Sequence, residues 1–331
     1  MKKIALTLAA TLIAISAVAQ KVVVYPKTGD AITYNMEEID HIEFLPASSD
    51  PDDGNRFTVQ EFYCMNGENR IYGKFYRPKG VEPGVKLPTV ILSHSANLTA
   101  DAMNAYASAI AEDGMNAYAF DFCGACEESR SDGNTEEMTV FTEVADLKAV
   151  IAGIKAADGV DADKICLLGS SMGGLVSALT AEDETLGIKG LVLFYPAFNI
   201  PDLIAMLDQF GGSLGNLGGL GGLGGSTGMG YSEAFCNAMR GYDVYANIGK
   251  FAHRVAIFHG SEDIIVKISY SEKAVEKYSD ATLFTIQGAN HGFNSDNLGS
   301  FGSMMGGSAD YDSQVIPEML NQLHIALTPT R

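Results

Sequence analysis

Ser171 is the middle residue of a Gly-x-Ser-x-Gly pentapeptide, residues 169–173. The apolar run 164–168 before it predicts a strand, and residues 174–179 behind it predict a helix. A sharp strand-to-helix turn exposes the serine, and the flanking glycines remove side chains that would clash there. The helix N-terminus points backbone N–H groups at negative charge that forms beside the serine. We therefore predict a serine nucleophile that attacks an ester or a related acyl bond.

A serine hydroxyl needs a general base, and the base needs an orienting acid. Downstream of Ser171, one apolar strand pattern ends at a loop with Glu262 and Asp263, and a second ends at a loop with His291. Strand ends of a doubly wound sheet deliver side chains to one edge, and serine, acid, histidine is the chain order expected of this chemistry. The sequence predicts a triad of Ser171, Asp263 and His291.

Two acids share one loop, so the orienting acid has to be chosen. Asp263 keeps a His-Gly-x-x-Asp spacing from His259, and we interpret Glu262 as its solvated neighbour. His94 and His259 lie at strand ends beside small residues but outside the expected order of the triad. We expect both of these histidines to hydrogen-bond their own loops.

The start of the chain has the pattern of a secretory signal peptide, predicted over residues 1–19. Lys2 and Lys3 make it basic, Ile4–Ala14 is apolar, and Ala-Val-Ala precedes Gln20. A transmembrane anchor is the alternative, but the apolar stretch is shorter than a bilayer span. We expect an exported protein, periplasmic or secreted, and no later segment has the length and apolarity of a membrane span.

The composition favours an acidic enzyme with one large core. A net charge of −19 disfavours nucleic acid and anionic membrane surfaces as partners. A chain of 331 residues with 47% hydrophobic content supports a core of enzyme size. No metal signature such as His-Glu-x-x-His occurs, and serine chemistry requires no metal or organic cofactor, so we expect none.

The five cysteines do not form the framework of a disulfide-rich scaffold. Cys123 and Cys126 are separated by Gly-Ala, which allows either a tight disulfide in an oxidising compartment or two free thiols. A second Cys or His pair is missing nearby, so this is a poor zinc site.

Beyond the signal segment, the chain divides into three predicted parts. Residues 20–45 form a short N-terminal β segment, 46–56 are a linker by composition, and 57–331 are a catalytic domain. In the last part, strand patterns alternate with helix patterns, which predicts a mostly parallel, doubly wound α/β sheet with helices on both faces.

Two glycine-rich stretches break this alternation. Residues 211–230 contain 11 glycines, and residues 298–307 are rich in Gly, Ser and Met. The first stretch falls between a central strand and the strand before Asp263, where a cap insertion or mobile lid is expected; a plain surface loop is the alternative.

Residues around the fourth central strand resemble the cinnamoyl (feruloyl) esterases and related carboxylesterases of the α/β-hydrolase superfamily. The run Asp-Phe-Cys-Gly at 121–124, then Ser-Asp-Gly at 131–133, Met-Thr-Val at 138–140 and Glu143-x-x-Asp146 carries the resemblance. It implies the α/β-hydrolase fold over 57–331. The chain departs from the family pattern at Gly-Ala-Cys, 124–126, where the family has Gly-His-Gly, and it has Ser-Met-Gly in the pentapeptide where many members have Ser-Gln-Gly.

The resemblance also places an oxyanion hole. One donor is expected to be the N–H of Met172, the residue after the nucleophile. Family members have His-Gly-Phe or His-Gly-Gly after the third strand, and this chain has His94-Ser95-Ala96 there, so the N–H of Ala96 is the second expected donor. Serine at 95 requires a backbone with negative φ.

These observations predict an exported serine esterase. The expected substrates are carboxylic esters, acyl or hydroxycinnamoyl, either small or linked to polysaccharide; this last step follows from the resemblance alone. A serine peptidase of the same fold is the first alternative, although no acidic pair stands out as a clamp for a free amine. A non-catalytic surface binding module is the second.

Overall fold

The computed structural model describes residues 56–209, 231–293 and 311–328, together with four backbone strands nearer the start of the chain. The chain divides into two compact units, Met1–Asn55 and Arg56–Arg331. The glycine-rich stretches 211–230 and 298–307 lie outside the described residues, so the expected cap insertion stays a prediction.

The first unit contains strands β1 (Lys2–Leu6), β2 (Lys21–Val24), β3 (Ile32–Asn35) and β4 (Ile39–Phe44). Strand β1 pairs in parallel with β4, and β2 pairs antiparallel with β3. Strands β2, β3 and β4 lie within residues 20–45, the predicted N-terminal β segment. Cleavage of the predicted signal peptide, in which β1 lies, remains a prediction.

The second unit alternates strands and helices along the chain. Its strands are β5 (Phe57–Asn66), β6 (Asn69–Pro78), β7 (Leu87–Ser93), β8 (Asn116–Phe120), β9 (Val160–Ser170), β10 (Ile188–Phe194), β11 (Arg254–Gly260) and β12 (Ala281–Ile286). Its α-helices within the described residues are α1 (Asn104–Glu112), α2 (Val140–Lys155), α3 (Met172–Ala181), α4 (Ile200–Gln209), α5 (Glu233–Met239), α6 (Ser269–Val275) and α7 (Asp312–Leu327).

In the described part of the second unit, eight strands form one sheet in the order β12-β11-β10-β9-β7-β8-β6-β5. The pairs β5–β6 and β6–β8 are antiparallel, and the pairings from β8 through to β12 are parallel. This is the mostly parallel, doubly wound sheet that the sequence predicts. Because the strands run parallel, the loops after β7, β9, β11 and β12 meet at one edge.

Each central strand is buried on both faces, which explains why the sequence shows continuous apolar runs there. In β10, Leu191 and Leu193 belong to the core on one face of the sheet, while Val192 and Phe194 belong to the core on the other. Side chains of a strand alternate between faces, so each face needs its own covering layer of helices. Two buried cores therefore fix the sheet that carries the site.

The closing helix α7 begins at Asp312. Pro317 lies inside this helix, where it removes one backbone hydrogen bond without ending the helix. Helices α4, α5 and α6 were not predicted; α5 and α6 have seven residues each, and so few turns give little periodicity. All five cysteines are free thiols, Cys123 and Cys126 included.

Candidate active site

Ser171 lies at the turn between β9 and α3 with φ 51° and ψ −114°. A positive φ is rare for a residue with a side chain and costs about 1–3 kcal/mol, so neighbouring structure must hold it. The Ser171 N–H donates to the carbonyl of Phe194 at 2.9 Å, and the Ser171 carbonyl accepts from Ala197 N–H at 2.9 Å. Strand β10 and the turn after it therefore hold the strained serine in place.

Both glycines of the pentapeptide are required by close backbone approach. A Cβ on Gly169 would collide with the backbone of Gly173, and a Cβ on Gly173 would collide with the carbonyls of Ser93 and His94. The first contact closes the turn, and the second lets the loop after β7 pack against the start of α3. The two glycines that identify Ser171 in the sequence are therefore also required for the site to assemble.

The structure brings the three predicted triad residues together. Nε2 of His291 lies 3.0 Å from Oγ of Ser171, and Nδ1 of His291 lies 2.7 Å from Oδ2 of Asp263. All three residues are buried, while Glu262 is exposed. Asp263, and not Glu262, is the acid beside the histidine.

These contacts show which nitrogen of His291 carries the hydrogen. A carboxylate only accepts, so Nδ1 of His291 donates to Asp263 and Nε2 accepts from the hydroxyl of Ser171. Burial works to raise the pKa of Asp263, but the positive charge of protonated His291 and hydrogen bonds from His259 and His291 outweigh it. The pKa of Asp263 falls below its usual range, and the group stays ionised to orient the imidazole.

Backbone contacts tie the acid loop to the histidine loop. Ser261 N–H donates to the carbonyl of Ile286 at 3.0 Å, and Glu262 N–H donates to the carbonyl of Ala289 at 2.9 Å. A Cβ on Gly260 would collide with the carbonyl of Ala289. Glycine at 260 therefore permits the approach that places Asp263 beside the histidine.

The two expected oxyanion donors lie in the elements that flank the nucleophile. Met172 is the first residue of α3, and Ala96 is half-buried in the loop after β7. Neither N–H donates to any described residue, so both remain available to a ligand oxygen. Ser95 keeps a negative φ, which is the condition for serine at that position.

A model of the family described as serine aminopeptidase, S33, matches residues 86–217. Among solved structures, the chain is similar to Est1E from Butyrivibrio proteoclasticus with bound ferulic acid, at 23% identity and a TM-score of 0.62, over 80% of this chain and 99% of that one. The chain is an α/β-hydrolase-fold protein. An esterase from Pyrococcus furiosus is also similar, at 19% identity and a TM-score of 0.58, over 82% of this chain and 91% of that one.

The likeness extends to other chemistries on the same fold. A dienelactone hydrolase from Anabaena variabilis is similar at 14% identity and a TM-score of 0.55, over 83% of this chain and 100% of that one. No curated protein matches the chain by sequence. The family model and the structural neighbours together support a hydrolase of the α/β-hydrolase type.

In this α/β-hydrolase-fold protein His94 supports the oxyanion loop (residues 94–99). Its Nδ1 lies 2.8 Å from the carbonyl of Ser95, and its Nε2 accepts the N–H of Phe122 at 3.1 Å. Burial lowers the pKa of His94, which keeps the ring neutral. The histidine therefore hydrogen-bonds its own loop, as the sequence predicts, and also connects it to the loop after β8.

Three contacts in this α/β-hydrolase-fold protein were not predicted from the sequence. The hydroxyls of Ser95 and Ser170 lie 2.9 Å apart, and the ring of Tyr195 packs on His291 with centroids 4.5 Å apart. Nε2 of His259 lies 3.2 Å from Oδ2 of Asp263. The His-Gly-x-x-Asp spacing could have indicated the last contact; no sequence signal indicates the other two.

The Glu-x-x-Asp pair on α2 has two different roles. Asp146 accepts from Asn66 Nδ2 at 2.8 Å and from Cys123 N–H at 2.9 Å, which ties the helix to the loop after β8. Glu143 is fully buried, and neither of its oxygens finds a partner among the described residues. Burial, and next the negative charge of Asp146, raise the pKa of Glu143 well above its usual value.

The described residues hold no group of three or more His, Cys, Asp or Glu side chains arranged to bind a metal ion. Within the same residues, no helix has both the length and the apolar character needed to cross a bilayer.

Proposed function

We propose that this chain is a serine esterase that hydrolyses carboxylic esters through an acyl-enzyme on Ser171. One observation carries the proposal: a continuous hydrogen-bonded path runs from Ser171 through His291 to Asp263, beginning at a serine in a strained backbone conformation. A hydroxyl becomes nucleophilic when a base within hydrogen-bond reach takes its proton, and the base works when an acid orients it.

The contacts support the following first half of the reaction. His291 Nε2 takes the hydroxyl proton of Ser171 while Oγ bonds to the ester carbonyl carbon. The carbonyl oxygen becomes an oxyanion, and the N–H groups of Met172 and Ala96 bind it. Asp263 stabilises the imidazolium that forms. When the tetrahedral intermediate collapses, the carbon–oxygen bond to the alcohol breaks, and Nε2–H protonates the leaving oxygen.

The second half repeats these steps with water. His291 Nε2 takes a proton from water, and the oxygen attacks the acyl carbon of the ester on Ser171. The second oxyanion collapses, Oγ leaves and recovers its proton from Nε2, and the carboxylic acid is released. Every proton passes through one nitrogen, so the 3.0 Å contact to Ser171 is the critical distance.

The ester specificity rests on resemblance and on the neighbours. The motif at 121–146 resembles that of feruloyl esterases, and one similar structure holds ferulic acid. We infer acyl or hydroxycinnamoyl esters, small or linked to polysaccharide, as the substrate class. Ser171 and its oxyanion donors would also cleave amides, and the matching family model is described as an aminopeptidase. A serine peptidase is therefore the second candidate.

One panel of substrates tests both candidates. Purified protein is assayed on p-nitrophenyl esters of increasing chain length, on methyl ferulate and on aminoacyl p-nitroanilides, with Ser171→Ala as the control. An esterase hydrolyses the esters and leaves the anilides intact; a peptidase cleaves the anilides at a comparable or higher kcat/KM. Hydrolysis of neither class by folded protein contradicts both and favours a binding module.

We also propose that the protein acts after export. The basic start, the apolar stretch and the small residues before Gln20 support cleavage at that point. Mass spectrometry of protein recovered from the periplasm or medium of an expressing bacterium should give a mature chain that begins at Gln20. A chain that keeps residues 1–19 and stays with the membrane would contradict cleavage and favour an anchor.

A further inference from the structure

His259, a fully buried residue of β11, contacts the same oxygen that orients the general base. Its Nε2 lies 3.2 Å from Oδ2 of Asp263, and Nδ1 of His291 lies 2.7 Å from that oxygen. The hydrolysis scheme above uses one histidine. The second one needs a separate explanation, because a buried imidazole in contact with an ionised carboxylate affects its position and its charge.

The partners of His259 determine which nitrogen carries its hydrogen. Nε2 lies 2.7 Å from the carbonyl of Val266, and a carbonyl only accepts, so Nε2 bears the hydrogen. Nδ1 lies 2.7 Å from the hydroxyl of Ser271, which donates to it in the neutral ring. The carbonyl of Val266 thus selects the tautomer, and the one hydrogen on Nε2 is shared between this carbonyl and Oδ2 of Asp263, 3.2 Å away. Ser271, in the first turn of α6, holds the other nitrogen of the ring.

The carboxylate of Asp263 is held on both of its oxygens. Oδ1 accepts the N–H groups of Ile265 and Val266, each at 2.9 Å. Oδ2 faces both histidines. Without the His259 contact, His291 would be the one remaining partner of Oδ2 among these groups, so the carboxylate would be held less firmly on the side that orients the base.

We propose that His259 is a positioning residue for the hydrolysis: its Nε2, 3.2 Å from Oδ2 of Asp263, keeps that oxygen towards His291, and Val266 and Ser271 hold the ring of His259 in place. The inference rests on the proposed function. The chain of polar contacts therefore runs through five side chains, Ser171, His291, Asp263, His259 and Ser271.

The contact also affects the charge that His291 experiences. A donated hydrogen bond withdraws part of the negative charge on Oδ2, so its removal leaves Asp263 better able to stabilise protonated His291. The titratable groups facing this carboxylate are His259, His291 and the phenol of Tyr195. The variants below that remove His259 leave His291 and Tyr195 in place. Removal of His259 should therefore move the acid limb of kcat/KM to higher pH.

The test compares His259→Phe, His259→Gln and Ser271→Ala on p-nitrophenyl acetate. Loss of one hydrogen bond to a charged group should lower kcat about tenfold in His259→Phe, with KM within about twofold of wild type. We expect the acid limb to move up by about half a pH unit. His259→Gln keeps an N–H donor and should recover part of kcat, and Ser271→Ala should show a smaller loss in the same direction.

A double-mutant cycle separates positioning from a merely structural role. In an Asp263→Asn background, His259→Phe should cause no further loss of kcat, because the group it acts through is already changed. A structural role predicts losses that add and an acid limb that stays in place. Thermal denaturation shows whether each variant is folded. Labelling of Ser171 by a fluorophosphonate gives the fraction of molecules with a reactive site.

The outcomes distinguish this inference from the proposed function. If wild type hydrolyses no ester and takes no label, the proposed function fails. If wild type is active but folded His259→Phe keeps its kcat and its acid limb, the positioning role is wrong. Where His259→Phe does not fold, Ser271→Ala decides: wild-type kcat with an unmoved acid limb overturns the proposal.

Discussion

Ser95 and Ser170 join the two loops that frame the nucleophile: their buried Oγ atoms lie 2.9 Å apart. Ser170 also donates to Sδ of Met103 at 3.6 Å, and a thioether only accepts. Ser170 Oγ must therefore accept the hydroxyl hydrogen of Ser95. This contact holds the residue before Ala96 against the residue before Ser171, so the oxyanion loop and the nucleophile are positioned together.

The two adjacent serines at 170 and 171 should respond very differently to alanine. Ser171→Ala removes the attacking oxygen, and we expect kcat/KM on p-nitrophenyl acetate to fall by roughly 10⁴-fold or more. Ser170→Ala leaves the buried hydroxyl of Ser95 without its acceptor, and we expect a loss of about 2- to 10-fold. Both melting temperatures are measured in parallel. An inactive Ser170→Ala beside an active Ser171→Ala would show that the nucleophile is misassigned.

The acid loop offers a matched pair of variants. Asp263→Asn replaces an acceptor of the His291 Nδ1–H by an amide, which favours the wrong tautomer, and kcat should fall by about 10³- to 10⁴-fold. Glu262→Gln changes an exposed side chain and should leave kcat/KM within about twofold. Steady-state kinetics on one ester decides the matter, and equal losses in the two variants would contradict the assignment of Asp263.

Gly173→Ala tests whether the start of α3 and the loop after β7 must approach closely. The added Cβ would collide with the carbonyls of Ser93 and His94, so the oxyanion loop has to shift. We expect the free energy of unfolding to fall by about 1–3 kcal/mol. We expect kcat to fall by a larger factor than the factor by which KM changes. Gly114→Ala is the control, because no atom lies within 4 Å of its added Cβ and only its positive φ is penalised.

Unchanged kcat in Gly173→Ala, with no more destabilisation than in Gly114→Ala, would show that the loop after β7 accommodates the added Cβ and that close approach does not explain the glycine. The readouts are urea denaturation for stability and p-nitrophenyl acetate hydrolysis for activity.

Much of this fold could be predicted because the central strands are continuous apolar runs, and because α2, between β8 and β9, buries residues at helical spacing. Helices α5 and α6, with seven residues each, are too short for periodicity to identify them. The approach of Ser171, Asp263 and His291 could be predicted because their order and strand-end positions follow from the chemistry. The Ser95–Ser170 contact depends on how two loops pack, so only the structure shows it.

Glu143 makes the stability of the protein depend on pH in a direction that can be derived. Burial, and next the negative charge of Asp146, raise its pKa in the folded protein well above the ordinary value, so the folded state keeps a proton that the unfolded chain releases as pH rises. Stability should therefore be unaffected below about pH 4 and should fall by up to about 1.4 kcal/mol per pH unit above it, until the folded group ionises.

Glu143→Gln removes this titration while keeping a neutral side chain of the same size. The difference in melting temperature, variant minus wild type, should lie near zero at pH 4 and become increasingly positive towards pH 8. Asp146 and Tyr231, the titratable groups that interact with Glu143, are present in both proteins and largely cancel in the difference. Glu136→Gln, which changes an exposed carboxyl, is the matched control and should give a flat difference. A difference for Glu143→Gln that is flat or that falls with pH would show that a partner stabilises the ionised form of Glu143 in the folded protein.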